Sequence, residues 1–345
     1  MAANISDVAK LAGVSHQTVS RVLNDGDKVR ASTRGRVEAA IRELNYRPSA
    51  AARALASRRS RVLGLLMTGG PLYGPGSTML AFNDAARLAG YQVSIATMST
   101  IDRESMVGAI DSLLAQDVEA LVLVVADEVV FEAIAGLRIS VPLVAAESSH
   151  RAGFHSVAIA QYAGARAATR HLIELGHTRV LHVAGPRWSL DATERERGWR
   201  DELAAAGLPA HDPVAGDWSP ASGYAIGREL VASGSVKAGG GPTAIFAAND
   251  QMGVGIIGAL ASAGIDVPGD VSIVGFDDIP EAAFLRPALT TVRQDFALLG
   301  SKLMAAVLAA LRGESAPHET DAEATLIVRA STTQVGDKRP AVAPD

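Results

Sequence analysis

The sequence predicts an α/β protein: an N-terminal helix-turn-helix domain followed by two doubly wound, parallel-sheet lobes. Three observations predict it. Within the first 46 residues, apolar positions recur at helical spacing around a glycine turn. From Val62 onward, short wholly apolar runs alternate with amphipathic helical stretches. Charge is divided unevenly: residues 1–61 carry 12 Lys+Arg and 5 Asp+Glu, within a chain whose net charge is −5. A basic head on an acidic body points to a polyanionic partner, with a merely solvated basic face as the alternative.

The head reads element by element. Val8, Leu11 and Ala12 share one helical face, and Gly13 supplies a tight turn. Ser15 is a good N-cap for a second helix that turns Val19, Val22 and Leu23 inward. Thr33 is expected to cap a third helix through Leu44, with Val37, Ala40 and Ile41 inward. The second helix is the one that would enter a major groove. His16, Gln17, Ser20 and Arg21 lie on its exposed side. Gln can grip adenine and Arg guanine, each with two hydrogen bonds. Thr18 and Asn24 suit phosphate contacts. A small structural hairpin is the alternative, and the basic balance argues against it.

Pro48 ends the third helix, and residues 47–60 form a short, basic, alanine-rich stretch. Such a stretch is marginal alone and would fold on meeting DNA. Leu55 is its one large apolar residue, of the kind that wedges between minor-groove base steps. An ordinary linker is the alternative.

In the body, strands are expected at 62–67, 91–98, 120–125, 141–146, 180–183, 244–247, 271–276 and 325–328. Helices are expected at 78–89, 103–116, 161–175, 190–206, 220–233, 250–263 and 295–312. This is too many strands for one modest sheet. Two facing lobes would hold a ligand where their strands end. Polar residues fall at such ends: Asn249 and Asp250 after Ile245-Phe-Ala-Ala, Asp277 and Asp278 after Ile273-Val-Gly-Phe, and Arg195 on the helix after Val183-Ala-Gly-Pro-Arg-Trp. Carboxylate, amide and guanidinium groups can each make paired bonds to neighbouring hydroxyls, which suits a sugar. Trp218, in Gly216-Asp-Trp-Ser-Pro220, could lie against a sugar's apolar face. Taken singly, Asn249 could be only an N-cap, Asp277 a loop acid, Arg195 a surface ion pair and Trp218 a lid over core. Together they favour a cleft.

Other classes are disfavoured. The chain has no cysteine, so disulfides, cysteine-ligated metals and thiol chemistry are excluded. Its eight histidines form no metal-ligand pair on one helix face. Dinucleotide, P-loop and nucleophile-elbow motifs are missing, and the adjacent Asp277 and Asp278 should diverge. No cofactor and no catalysis are expected. MAANISDVAK contains no apolar signal region, and no run reaches the roughly 20 apolar residues a membrane helix needs. A cytoplasmic protein without membrane contact is expected.

The motif DVAKLAGVSHQTVSRVLN (7–24), with GDWS (216–219), ANDQM (248–252) and LTTVRQDFALLG (289–300), resembles the lactose-repressor (LacI/GalR) family of bacterial transcription regulators across about residues 4–334. The resemblance implies a DNA-binding head (1–46), a hinge helix (47–60) and two lobes like a periplasmic sugar-binding protein. The lobes would comprise 61–160 with 294–322, and 161–293 with 323–334, joined by three crossings. It also implies a dimer on a palindromic operator, regulated by a small molecule in the cleft.

By position, the resemblance gives base reading to His16, Gln17 and Arg21 and the hinge wedge to Leu55. It gives effector contact to Arg195, Trp218, Asn249, Asp277 and Gln294, with Phe296 beside them and Leu72, Gly74 and Pro75 lining the first lobe. Glu147 stands where the family's namesake has aspartate, Asp191 where it has serine, Val124 where it has asparagine, Ile159 where it has an aromatic, and His16 where it has tyrosine. The cleft and operator are therefore related to the namesake's but not identical. Residues 335–345 read as a disordered tail without a leucine heptad, so a dimer rather than a tetramer is expected. The function expected is a repressor released from DNA by a sugar, a galactoside-type saccharide being favoured. A purine-responsive regulator is the near rival, and would call for aromatic stacking on both faces of a flat base. A transport-type binding protein would lack the basic head.

Overall fold

Asn4 decides where the first helix begins. Its Oδ1 accepts from the backbone N–H of Ser6 (2.8 Å) and Asp7 (3.2 Å), while the Asp7 carboxylate accepts from the Asn4 N–H at 2.9 Å. This reciprocal box satisfies donors that a helix start leaves orphaned. The computed structural model describes residues 3–24, 29–46, 59–124 except 69, 71, 99 and 101, then 127, 130, 134, 137, 139–148, 155–236, 241–314 and 321–336. The chain divides into two units, residues 1–61 and 62–345.

In the head, α1 (Ile5–Ala12), α2 (His16–Asn24) and α3 (Ala31–Glu43) enclose a small core of Val8, Ala9, Ala12, Val19, Val37 and Ala40. Gly13 ends α1 at φ 63°, a left-handed turn that a side chain resists. Two expectations are corrected. Leu11 is 46% exposed, and Ala9 is buried in its stead. The core covers the arc of α1 centred on Ala12, which lies between Val8 and Ala9 on the helical wheel. Thr33 does not cap α3; it lies in the first turn, after Arg30 at the cap position with no side-chain cap bond.

The body's first sheet runs β2-β1-β3-β4-β5, all parallel: β1 (Val62–Thr68), β2 (Gln92–Met98), β3 (Ala120–Val124), β4 (Leu143–Ala146) and β5 (His155–Val157). Two buried clusters explain why its inner strands are apolar throughout. Leu63, Leu65, Val122 and Val124 face one cluster, Leu66, Leu121 and Leu123 the other. Alternating side chains thus serve both faces of a covered sheet. Between its strands come α4 (Tyr73–Leu88) and α5 (Arg103–Leu114). α4 begins five residues before its expected start. Pro75 lies in its first turn, where a missing N–H costs nothing.

After α6 (Gln161–Glu174) the second sheet runs β7-β6-β8-β9, again parallel: β6 (Val180–Ala184), β7 (Val214–Ala215), β8 (Ala244–Ala247) and β9 (Ser272–Val274). Its helices are α7 (Leu190–Ala205), α8 (Pro220–Ala232) and α9 (Asp250–Ser262). A third, two-stranded sheet was not expected. β10 (Thr291–Gln294) pairs antiparallel with β11 (Ala324–Ile327), so the apolar run at 325–328 joins no parallel sheet. β5, β7 and β10, at two to four residues, are too short to show a period.

α10 (Phe296–Leu311) follows β10 and returns to the first sheet, packing on α4. A Cβ on Gly300 would sit 2.5 Å from the Ala81 carbonyl carbon, so only glycine allows this approach. The chain leaves the first sheet after β5, returns to its core in α10 after β10, and leaves it again before β11. The first and third passages run side by side, with Ala160 N–H donating to Ala322 O (2.9 Å) and Ala322 N–H to Ala158 O (2.7 Å).

Candidate DNA-reading helix and candidate effector cleft

Ser15 caps α2 through its hydroxyl, which accepts from Thr18 N–H at 3.2 Å and also bonds the Thr18 hydroxyl at 3.0 Å. Those two hydroxyls therefore hold the helix start. His16, Gln17 and Arg21 are exposed, and no intramolecular hydrogen bond among the described residues ties their side chains. Ser20 is half-buried beside them. The Asn24 side chain and Leu55 lie outside the described residues.

The eleven residues that the sequence assigned to the cleft line one cavity, open to solvent, whose empty space including that solvent is about 880 Å³. Leu72, Gly74 and Pro75 come from the start of α4, Glu147 from the end of β4, and Gln294 and Phe296 from the β10–α10 passage. Asp191 and Arg195 come from α7, Trp218 from the loop before α8, Asn249 from the end of β8 and Asp277 from the loop after β9. Val124 and Ile159 line it too.

The polar groups are already engaged with one another. Arg195 is 4% exposed; its Nε donates to Gln161 Oε1 at 2.8 Å and its Nη1 to Ala248 O at 2.5 Å. Its guanidinium lies 3.8 Å from the Phe276 ring centroid and 5.4 Å from that of Trp218, and 3.6 Å from Asp277. Gln161 passes the connection on, its Nε2 donating to Gln294 Oε1 (3.1 Å), and Gln294 Nε2 donates to Asp277 Oδ1 at 2.5 Å. A closed circuit thus joins the second lobe to the β10 passage.

Two side chains do less for a ligand than expected. Asn249 caps α9, accepting from Met252 N–H at 3.0 Å, and its amide donates to Trp218 O at 3.0 Å. Trp218 is 8% exposed and packs over Arg195. Its indole crosses directly above Gly185, where any Cβ would collide with the ring.

Asp277 and Asp278 diverge. Asp277 sits at φ 121°, a strained conformation for a non-glycine residue, and faces the cavity. Asp278 is held away from it by Arg293 Nε (2.7 Å) and Arg329 Nη2 (2.6 Å). Asp250 clamps the same loop from beneath, accepting from Ile279 N–H (2.9 Å) and the Thr291 hydroxyl (2.5 Å).

Burial decides the proton affinities. It pushes Asp277 up to about 7, against the lowering pull of Arg195, and Asp250 to about 6. It raises Asp191, opposed by Arg195 and the Ser148 hydroxyl. It depresses His182 to about 3.

Several lining residues were not anticipated. Gln161 is one, because an amide at a helix start carries no sequence signature. Tyr73, Thr78 and Trp188 are others. Trp188 stands in the quoted run after β6, and an aromatic there was a usable signal.

Comparison with known proteins defines the class. Residues 4–49 match the bacterial regulatory proteins of the lacI family, and residues 169–332 match a periplasmic binding protein-like domain. With a relative 33% identical along 94% of its length, the chain belongs to the LacI family. It is thus a DNA-binding transcriptional regulator and not an enzyme. That relative is the lactose operon repressor of Escherichia coli (strain K12), 33% identical over 327 residues and 89% of its own length. The HTH-type transcriptional regulator GalR of the same organism is 33% identical over 333 residues, 95% of this chain and 94% of its own. Among solved structures, the lac repressor dimer bound to operator and the anti-inducer ONPF superposes with a TM-score of 0.86 at 32% identity, covering 96% of this chain and 100% of that one. The CelR–cellobiose complex superposes with a TM-score of 0.69 at 30% identity, covering 95% and 99%.

Proposed function

We propose that this chain is a cytoplasmic repressor that binds a near-palindromic operator as a homodimer and is released by a neutral sugar in the cavity, a galactoside-type saccharide being favoured. His16, Gln17, Ser20 and Arg21 read bases, Ser15, Thr18 and Asn24 hold the phosphate backbone, and Leu55, in a hinge spanning 47–60, wedges the operator centre. The lobes are 61–160 with 294–322, and 161–293 with 323–334, ahead of a tail at 335–345.

The observation that carries the effector reading is the circuit Arg195–Gln161–Gln294–Asp277 at the cavity wall. It couples a ligand-facing carboxyl to a strand that leads from one lobe to the other. A ligand changes lobe orientation only by binding one orientation better than the other, and a sugar bonded to this circuit has that lever. Against a purine, the pocket's aromatic pair Tyr73–Phe296 meets edge-on at 80°, and Trp218 packs over Arg195, so none of these three rings is set parallel to another for a flat base.

The test is operator release titrated with mono- and disaccharides for the wild type and Asp277→Asn. The wild type is expected to release with a neutral sugar and the variant to hold the operator. A sugar that tightens operator binding, or equal release by both proteins, would overturn the mechanism.

A further inference from the structure

We infer that the cavity selects uncharged or ammonium-bearing saccharides and rejects carboxylated and phosphorylated ones, with Asp191 as the residue that sets this preference. The inference rests on the sugar reading of the same cavity.

Among the described residues, four charged side chains line the cavity: Glu147, Asp191, Asp277 and Arg195. The single cation is already compensated, with Asp277 at 3.6 Å, Gln161 and the Ala248 carbonyl on its N–H groups, and the Phe276 ring against its face. Among the described residues, no second cation lines the cavity to meet an anionic ligand. Helix starts also reach the cavity, and at that of α7 the backbone N–H groups and the helix dipole favour negative charge. Asp191 occupies its first turn, and the preceding Ser189 hydroxyl caps it by accepting from Ala192 N–H at 3.3 Å. The protein has filled its own anion position.

Asp191 is held there by the hydroxyl of Ser148, which follows β4 in the first lobe and donates to Oδ1 at 2.8 Å. Among the described residues, no hydrogen-bond donor reaches its other oxygen. Glu147, 2% exposed, lies on the same wall. Burial, reinforced by Glu147, keeps Asp191 above the usual carboxylate range. Carboxyl oxygens in such surroundings want hydrogen-bond donors. A sugar hydroxyl or an ammonium group supplies them, whereas a carboxylate or phosphate adds like charge with no cation to offset it.

The test is calorimetric titration of the full-length protein. Neutral probes are methyl galactoside, methyl glucoside and cellobiose. Anionic counterparts are galacturonate, glucuronate and glucose 6-phosphate, with galactosamine and glucosamine as cationic probes. For the neutral sugar that binds, the anionic counterpart is expected to be at least about 100-fold weaker and the amino sugar within about tenfold. In Asp191→Asn and Asp191→Ser the neutral-to-anionic gap is expected to shrink by about tenfold or more, a ratio that a merely structural role would not move. Anionic probes binding within about threefold of neutral ones would overturn the charge preference and leave the sugar reading intact. An unchanged gap in both variants would overturn the role of Asp191. Silence from every probe would overturn the sugar reading, and this inference with it.

Discussion

The two candidate recognition surfaces are built on opposite principles. On α2, His16, Gln17 and Arg21 stand exposed with no side-chain hydrogen bond among the described residues, their capacity open to something outside the molecule. In the cleft, Arg195, Asn249, Asp277 and Gln294 are buried and spend much of theirs on groups within the protein. The reason is solvent. An unpaired polar group in water costs nothing, so a DNA-reading face can wait unpaired. An unpaired polar group in a cavity costs about 1–3 kcal/mol, so a cleft must satisfy itself before its ligand arrives. Substitutions should therefore weaken binding alone in the first region, and both binding and folding in the second.

The sharpest contrast is in salt dependence. Operator affinity should fall by about 10³–10⁵ between 50 and 200 mM salt, because a dimer that neutralises on the order of 6–10 phosphates releases that many counterions. Affinity for a neutral sugar should stay flat over the same range. Filter binding and calorimetry at matched salt measure both, and parallel slopes would erase the distinction.

Next in size is Arg195→Ala, which strands the buried Asp277 carboxyl and empties the space between Phe276 and Trp218. It should cost about 3–5 kcal/mol in denaturant unfolding of the body as well as abolish the sugar response. A variant of wild-type stability would show that Arg195 only touches ligand.

On the head, Gln17→Ala or Arg21→Ala should cost about 1–3 kcal/mol in operator binding and relax base preference, with the melting temperature unmoved. A melting shift of several degrees would mean that these side chains also hold the head together.

A further contrast is a slope with pH. Asp277 binds its proton more tightly when folded, up to about 7, than the ordinary carboxylate value of 3.8. Between those pH values the folded state keeps a proton that the unfolded chain has released, so this group's contribution to stability falls as pH rises. Asp277→Asn should therefore gain relative to wild type on going from pH 4 to pH 7. Comparing the two proteins cancels His182, whose depressed value, about 3, acts in the opposite direction. Parallel stability curves would place the Asp277 carboxyl in water.

How far the sequence reached differs between the same two regions. The head was legible because its determinants are local: Ser15 caps the helix that begins at the next residue, and Val19 and Val37 report helical period within a few turns. Its errors, Thr33 and Leu11, came where a cap or a face depends on which neighbour covers it. The α/β alternation of the body was legible for a related reason, since a strand buried on both faces must be apolar at every position, as Ala120–Val124 is. The cleft residues could be nominated only by their places at strand ends and by family resemblance.

What the sequence by itself determined, then, is the order of elements, the charge of the head and the candidates for recognition, each governed by neighbours within about one helical turn or one strand. Only the tertiary structure decided how those candidates are used. The Gln161–Gln294 bond spans 133 positions of chain, Ser148–Asp191 spans 43, and the antiparallel β10–β11 pair joins segments some thirty residues apart. No local pattern encodes such partners. They are selected when packing removes water and leaves each buried donor and acceptor only the groups that the fold has carried to it.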